Sequence, residues 1–252
     1  MDRHIKSCMD TWDICGDYEV VEWNEDNCNL NENSFISVAV KNSKWAFVSD
    51  YFRLKALYKI GGIYLDTDVE IKNTFNDLLG YRMFLGYIFD CSIGTAVIGS
   101  EKGHPFLKYL LDLYKNAYWN EDLKTFSISD FPKIKFKCNN DVLTYALKKY
   151  NTIFKLNGKT QFLSDLVIFQ KEEFEIGPVF GIRHAVHRCE ASWKDNSDSL
   201  IRKIKYKIKR SATLIPFIDG ISLIRHVTYR EKMKKESFYR IYLEDSMVKS
   251  NE

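Results

Sequence analysis

Two aspartates one residue apart follow a short apolar run in the stretch GGIYLDTDVEI, residues 61–71. Carboxylates this close raise each other's pKa unless a cation neutralises them. Their hard oxygen ligands suit Mg²⁺ or Mn²⁺, ions that commonly bind one or two carboxylates together with substrate phosphates. Asp66 and Asp68 are therefore candidate ligands of a divalent cation. The alternative for this motif taken alone is a solvated turn after a strand.

A second pair of charges precedes this motif in the apolar stretch KWAFVSDYFRLKALYKI, residues 44–60. The stretch predicts a helix that is buried on most of its circumference and stops at Gly61. Asp50 and Arg53 share one face of that helix because they are three residues apart. They form either an internal ion pair, which is weak evidence for stability, or part of a ligand site beside the aspartates. Gly61 and Gly62 would let a ligand approach the backbone closely.

Helical and strand-like segments alternate along the first part of the chain. The predicted helices cover residues 3–13, 44–60, 104–118 and 141–150, and the predicted strands cover 18–23, 63–66, 69–71, 82–89 and 94–100. This alternation predicts an α/β sandwich with a mixed, mostly parallel sheet. Ligand sites of such sheets lie at the carboxyl ends of the strands, where the two aspartates stand.

Composition excludes several classes of protein. Of the 252 residues 45% are hydrophobic and 15% aromatic, so the chain has enough apolar surface for a core. A net charge of +3 argues against a nucleic-acid partner bound by a uniformly basic surface. The six cysteines match no zinc spacing, and we find neither a signal peptide nor an apolar run of membrane-spanning length. We therefore expect a reduced, cytoplasmic protein.

The stretch WAFVSDYFRLKALYKIGGIYLDTDVEI resembles the D-x-D sugar-binding region of the family 32 retaining glycosyltransferases. That family includes bacterial capsular and lipooligosaccharide transferases and the yeast initiating mannosyltransferase, and clostridial toxin glucosyltransferase domains carry a related motif. DYEVVEWNEDN, GTAVIGSEKGHPF and HAVHRCEASW also resemble the bacterial group, so the likeness covers roughly residues 5–195. It implies a GT-A fold, a single Rossmann-like sandwich, with a nucleotide-diphosphate sugar as donor and Mn²⁺ or Mg²⁺ as cofactor. A UDP-hexose is the favoured donor.

The resemblance also implies roles for individual residues. It makes Asp68 the firmest metal ligand, with Asp66 directed to the ribose and, through water, to the metal. It directs Asp50 and Arg53 to the donor sugar, and His187 to the metal or diphosphate. The remaining donor-site candidates are Gly62 and Tyr64 in the pocket and Ser192 and Trp193 on a closing loop. From the residues alone, an ordinary surface or core histidine at 187 and a packing role for Trp193 remain alternatives.

One departure from the family concerns the start of the chain. Family members usually open with a strand of the type I-P-K-I-I-H-x-x-W, which helps to hold the nucleotide base. The present sequence begins at the helix that normally follows, so we expect the sheet to lack its first strand. This departure bears on donor affinity more than on metal binding.

Residues 199–252 are rich in basic residues and are predicted to form a mostly helical appendage to a catalytic domain at 1–198. The segment RKIKYKIKR, 202–210, carries six basic residues and is followed by an apolar stretch. Such a pattern suits peripheral attachment of residues 200–224 to the anionic inner leaflet of a membrane. The alternative is that this segment packs on the catalytic domain and exposes its charged side chains to solvent. Acceptors in the resembling family are often lipid-linked saccharides, which favours the membrane interpretation.

These observations favour a metal-dependent retaining glycosyltransferase that moves a hexose to a saccharide acceptor in bacterial surface polysaccharide synthesis. The alternative is a degenerate, non-catalytic scaffold of a polysaccharide-assembly complex. A third hypothesis is a phosphatase with Asp66 as nucleophile. Glu70 departs from the D-x-D-x-T/V motif of that class.

Overall fold

Helices form the start of the described chain. The computed structural model describes residues 3–122, 125–128, 139–177, 183–188 and 220–247. Its first helices are α1, Arg3–Met9, followed by a 3₁₀ helix at Asp10–Cys15, then α2, Ser34–Lys41, and α3, Trp45–Ile60. Asn33 caps α2, because its side chain accepts a hydrogen bond from the Ile36 N–H. Helix α3 ends at Gly61, as predicted, where φ is 76°.

The strands are short and most of them are antiparallel to their neighbours. They are β1 Gly62–Leu65, β2 Val69–Ile71, β3 Met83–Phe89, β4 Ser92–Ile93, β5 Val97–Ser100, β6 Ala117–Asn120, β7 Thr125–Ile128, β8 Gln161–Phe162, β9 Val167–Phe169 and β10 Ala185–His187. The main sheet has the order β1-β5-β3-β9-β8, with β4 added to β3. Two further sheets pair β10 with β2 and β6 with β7.

The prediction of an α/β class with a mixed sheet is confirmed, but a mostly parallel sheet is wrong. Among the described strand pairs only β3 and β9 run parallel. The reason is the length of the connections. Strands β3, β4 and β5 follow one another with a few residues between them, whereas a parallel pair requires a crossover of a dozen residues or more.

Two apolar clusters cover opposite faces of the main sheet. Phe84 and Leu85 are neighbours on β3 and belong to different clusters, as the alternation of side chains along a strand requires. The larger cluster joins Leu85 to α2, α3 and the helices α4, Pro105–Lys115, and α5, Asn139–Tyr150. The smaller cluster joins Phe84 to β2, β9 and β10. Strands β2 and β10 therefore pack against the face of the main sheet that lies opposite to α3.

Two local predictions are wrong, and one helix was not predicted. Residues 18–23 form no strand, and Val20 is 68% exposed, because no described strand pairs with this segment. The predicted helix over 104–118 ends at Lys115, and the chain continues into β6, which finds its partner in β7. Helix α2 was not predicted, since its short apolar segment follows a run of turn-forming residues.

The described part of the C-terminal segment is helical and packs on the rest of the chain. Helices α6, Gly220–Met233, and α7, Tyr239–Met247, are connected by a short turn. Tyr229 and Met233 cover Cys91, and Phe238 enters the larger apolar cluster. The segment 202–210, on which the membrane prediction depends, lies outside the described residues. Among the described helices we find none with the length and apolar character needed to cross a membrane.

Candidate active site

A buried ion pair on α3 forms one side of the candidate site. Arg53 Nη2 lies 3.1 Å from Asp50 Oδ1, and the two residues are only 8% and 7% exposed. The pair expected from their spacing therefore forms inside the protein. Burial raises the pKa of Asp50 to about 7, although the charge of Arg53 acts in the opposite direction. A carboxyl group of this kind can accept or donate a proton near neutral pH.

Arg53 links this pair to the end of β1. Its Nη1 donates to the carbonyl oxygen of Thr95 (2.9 Å) and lies 3.2 Å from Asp66 Oδ1. The guanidinium also lies over the ring of Tyr64, 4.7 Å from its centroid. Burial alone would lower the pKa of Arg53. The nearby acidic groups, of which Asp66 has the largest effect, raise that pKa above its ordinary value. Arg53 therefore keeps its charge and holds several groups of the site in place.

Tyr64 fixes the orientation of Asp66. The Tyr64 hydroxyl donates to Asp66 Oδ1 at 2.7 Å, and burial raises the pKa of that hydroxyl above its ordinary value. Tyr64 therefore stays protonated and remains a donor. Both this bond and the contact with Arg53 engage Oδ1 of Asp66, so the other carboxylate oxygen can face a ligand. Among the described residues we find no side-chain contact with that second oxygen.

A turn and a small sheet bring the second aspartate to His187. The Val69 N–H donates to the Asp66 carbonyl oxygen (3.0 Å), which closes the turn between β1 and β2. Strand β10 pairs antiparallel with β2 in a register that places His187 opposite Val69. His187 Nε2 consequently lies 3.3 Å from Asp68 Oδ1.

The three residues that the resemblance implies as metal ligands thus meet in space. Asp66, Asp68 and His187 each offer one ligand atom, and these atoms lie within 4.8 Å of one another. Two carboxylate oxygens suit Mn²⁺ and Mg²⁺, and an added imidazole nitrogen favours a transition metal such as Mn²⁺. The donor set therefore fits a divalent cation. Since three protein ligands leave positions open, phosphate oxygens of a substrate can complete the coordination.

Other predicted site residues are not part of this cluster. Gly62 lies at the opposite end of β1 from Asp66, roughly 13 Å away at about 3.3 Å per residue. A Cβ on Gly61 would lie 2.8 Å from the Lys102 backbone nitrogen, so the close approach at this glycine is to the chain itself. Ser192 and Trp193 lie outside the described residues.

Two residues that were not predicted from the sequence, Asn139 and Thr95, lie beside the buried pair. Asn139, 3% exposed at the start of α5, lies beside Asp50 and accepts a hydrogen bond from the Tyr114 hydroxyl. Its amide nitrogen is buried and has no hydrogen-bond partner within the described chain. The Thr95 hydroxyl donates to Asn140 Oδ1 (3.0 Å) and so ties the start of α5 to the loop that Arg53 contacts. The polar run NND before an apolar helix was the signal available in the sequence.

A buried carboxylate behind His187 was also missed. Glu175 contacts His187 and Arg225, and its carboxyl group is almost completely buried. Burial would raise the pKa of Glu175, but its interactions with His187 and Arg225 outweigh burial and lower the pKa below its ordinary value. Glu175 is therefore ionised at neutral pH. No spacing rule links residue 175 to residue 225, so the sequence alone offers no signal for this contact.

One family model and two curated relatives match part of the chain. The family described as "Glycosyltransferase sugar-binding region containing DXD motif" matches residues 1–85, which include α3, β1 and both aspartates. The match covers about a third of the chain and shows that this part is similar to the sugar-binding region of DXD glycosyltransferases. The resemblance inferred from the central stretch is therefore confirmed.

Two curated relatives share part of the chain. Inositol phosphoceramide mannosyltransferase 3 of Schizosaccharomyces pombe is 34% identical over an alignment of 113 residues, and the match covers 40% of the present chain and 29% of that protein. An uncharacterised Arabidopsis thaliana protein is 32% identical over 114 residues, 45% of this chain and 15% of its own length. The chain thus spans less than a third of the length of either relative.

A solved structure, PaToxG glycosyltransferase, resembles the chain with a TM-score of 0.43 and 17% identity, over 60% of this chain and 64% of that one.

Proposed function

We propose that the chain transfers a hexose from a nucleoside-diphosphate sugar to a saccharide acceptor, in a reaction that depends on a divalent cation and retains the anomeric configuration. The observation that carries the proposal is the junction of two clusters at Asp66. One is the cation-ligand set of Asp66, Asp68 and His187, and the other is the buried network of Arg53, Asp50 and Tyr64. A diphosphate and a sugar joined to each other require such a pair of adjacent sites.

The ligand set would hold the diphosphate end of the donor. A bound Mn²⁺ or Mg²⁺ would neutralise the negative charge that develops on the departing nucleoside diphosphate. Tyr64 and Arg53 hold Asp66 in one orientation before the donor arrives, so little reorganisation accompanies binding. Ser192 and Trp193 would contact the phosphate from a loop that excludes water from the donor.

The buried network would hold the sugar end. Asp50 is a buried acceptor and Arg53 a buried fork of donors, and together they can bind neighbouring hydroxyl groups of one sugar ring. Asn139 adds a buried amide nitrogen beside them. A site built to hydrogen-bond hydroxyls rejects analogues that lack them, because its buried polar groups are then left unpaired. We assign no nucleophilic carboxylate.

The acceptor is proposed to be a saccharide carried by a lipid, as in the synthesis of bacterial surface polysaccharides. The S. pombe relative is named as a mannosyltransferase that acts on inositol phosphoceramide, which supports a lipid-carried acceptor and adds mannose to the candidate sugars. Both relatives come from eukaryotes and lend no support to the bacterial part of the proposal. We further propose a cytoplasmic, peripheral membrane location through residues 200–224. Binding of the full chain to vesicles that contain anionic lipid, but not to neutral vesicles, tests it.

The proposed reaction is tested by donor hydrolysis. The protein is incubated with Mn²⁺ and a panel of UDP- and GDP-hexoses, and the released nucleoside diphosphate is measured. We expect release from at least one donor, its loss in EDTA, and a decrease of at least a hundredfold in Asp68→Asn. Asp77→Asn, which alters an exposed carboxylate outside the site, is the matched control and should retain the wild-type rate.

Absence of release from every donor would contradict the proposal and favour the non-catalytic scaffold. Phosphate release from simple esters would instead favour the phosphatase.

A further inference from the structure

The ring of His187 is held from behind by a buried carboxylate. Glu175 is only 3% exposed, and its two carboxylate oxygens lie 2.9 and 3.0 Å from Nδ1 of His187. The backbone supports the same contact, since the His187 N–H donates to the Glu175 carbonyl oxygen at 3.3 Å. A carboxylate that accepts from Nδ1 keeps the proton on that nitrogen and turns Nε2 towards Asp68.

One arginine from helix α6 holds both partners of this contact. Arg225 donates from Nη2 to Glu175 Oε1 (2.5 Å) and from Nη1 to the Glu175 carbonyl oxygen (2.7 Å). It also hydrogen-bonds the carbonyl oxygen of His187. The guanidinium compensates the buried charge of Glu175 and restrains the backbone of both segments. Helix α6 thus reaches the candidate cation site, although the sequence analysis assigned it to an appendage.

A neighbouring pair makes the role of this contact specific. Glu173, two residues before Glu175, holds Nδ1 of His184 at 2.5 Å in the same manner. The other nitrogen of His184 faces the exposed carboxylate of Asp77 at 2.8 Å. The second histidine therefore belongs to a separate ion pair, whereas Nε2 of His187 faces the cation-ligand set.

We propose that Glu175 and Arg225 are positioning residues of the cation site, which orient His187 and set the affinity of the site for the metal. The proposal rests on the proposed function, because it requires that His187 bind a cation. Carboxylates that hold a metal-bound histidine typically change metal affinity by about 10- to 100-fold when they are replaced. The contribution of α6 means that the C-terminal segment takes part in the donor site.

The test is the binding of Mn²⁺ alone to the full chain, measured from the electron paramagnetic resonance signal of the free ion. We expect Glu175→Gln to weaken binding by about 10- to 100-fold. Arg225→Lys keeps the positive charge but loses the guanidinium group that bonds to several acceptors at once. This variant should weaken Mn²⁺ binding less than Glu175→Gln does. Glu173→Gln is the matched control, because it changes the same kind of buried carboxylate–histidine contact away from the cluster. It should leave the affinity within about twofold of the wild type. Unfolding curves in EDTA show which variants are folded.

A double-mutant comparison separates positioning from a structural role. If Glu175 acts through His187, Glu175→Gln should cause no further loss in a His187→Ala background. An equal loss in that background, or wild-type affinity in Glu175→Gln, would overturn the inference and leave the proposed function intact. If Glu175→Gln does not fold, Arg225→Lys replaces it in the same comparison. Binding by the wild type that is no tighter than by Asp68→Asn would instead refute the cation site itself, and the inference with it.

Discussion

Replacement of Asp50 by asparagine should stabilise the folded protein at neutral and alkaline pH. Burial raises the pKa of Asp50 from its ordinary value of 3.8 to about 7, so the ionised form is less stable in the fold than in the unfolded chain. About three pKa units correspond to about 4 kcal/mol. Asparagine keeps an oxygen acceptor at the same position, and Arg53 keeps its contacts with Asp66 and Thr95.

The dependence on pH follows from proton counting. Between the two pKa values the native state holds the Asp50 proton and the unfolded state has lost it. The stability of the wild type therefore falls relative to that of Asp50→Asn by about 1.4 kcal/mol per pH unit. The difference between the two proteins should be small at pH 4, should grow by about 3 kcal/mol between pH 5 and 7, and should become constant above about pH 7.

Urea unfolding of both proteins in EDTA, at intervals between pH 5 and 8, measures this difference directly. Asp112→Asn is the matched control. Hydrogen bonding from Lys108 keeps the pKa of Asp112 below its ordinary value, so its stability difference should stay flat over the same range. A flat difference for Asp50→Asn as well would refute the reasoning, because it would mean that Asp50 is ionised in the fold throughout.

Three further changes test other parts of the molecule. Tyr64→Phe removes the hydrogen bond to Asp66 and should lower kcat/KM for donor hydrolysis by about tenfold, whereas an unchanged value would argue against orientation by the hydroxyl. Gly61→Ala should destabilise the fold by about 1–3 kcal/mol, more than Gly62→Ala, since both have positive φ but only at Gly61 would a Cβ meet backbone. Equal urea midpoints for the two alanine variants would count against this. Phe238→Ala should cost about 3–5 kcal/mol in the same assay if the C-terminal helices share the main core, and a loss below about 1 kcal/mol would contradict it.

The features that could be predicted are those fixed by local rules. A helix stop at glycine and a spacing of three residues are sufficient to predict α3, its end at Gly61 and the pairing of Asp50 with Arg53. The carboxyl end of β1 likewise identified Asp66 as a candidate ligand. These inferences involve residues close together in sequence, for which helix and strand geometry fixes the relative positions.

The features that were missed depend on distant partners. Residues 18–23 have the composition of a strand, but a strand forms only where another strand supplies hydrogen bonds. Residues 117–120 extend the pattern of α4, yet pairing with β7 draws them into a strand. Arg225 reaches Glu175 across 50 residues, and periodicity carries no information about such a contact. Sequence reasoning consequently located the donor-site candidates more completely than the groups that support them.

The most direct test of the central claim is an anomalous difference map from crystals grown with Mn²⁺ and recorded at the manganese absorption edge. The claim is that Asp66, Asp68 and His187 hold one divalent cation beside the buried Asp50–Arg53 pair. It predicts a single strong peak in direct contact with ligand atoms of all three residues, and loss of that peak in Asp68→Asn. A map at saturating Mn²⁺ with no peak in this cluster, or with the peak among other side chains, would contradict it.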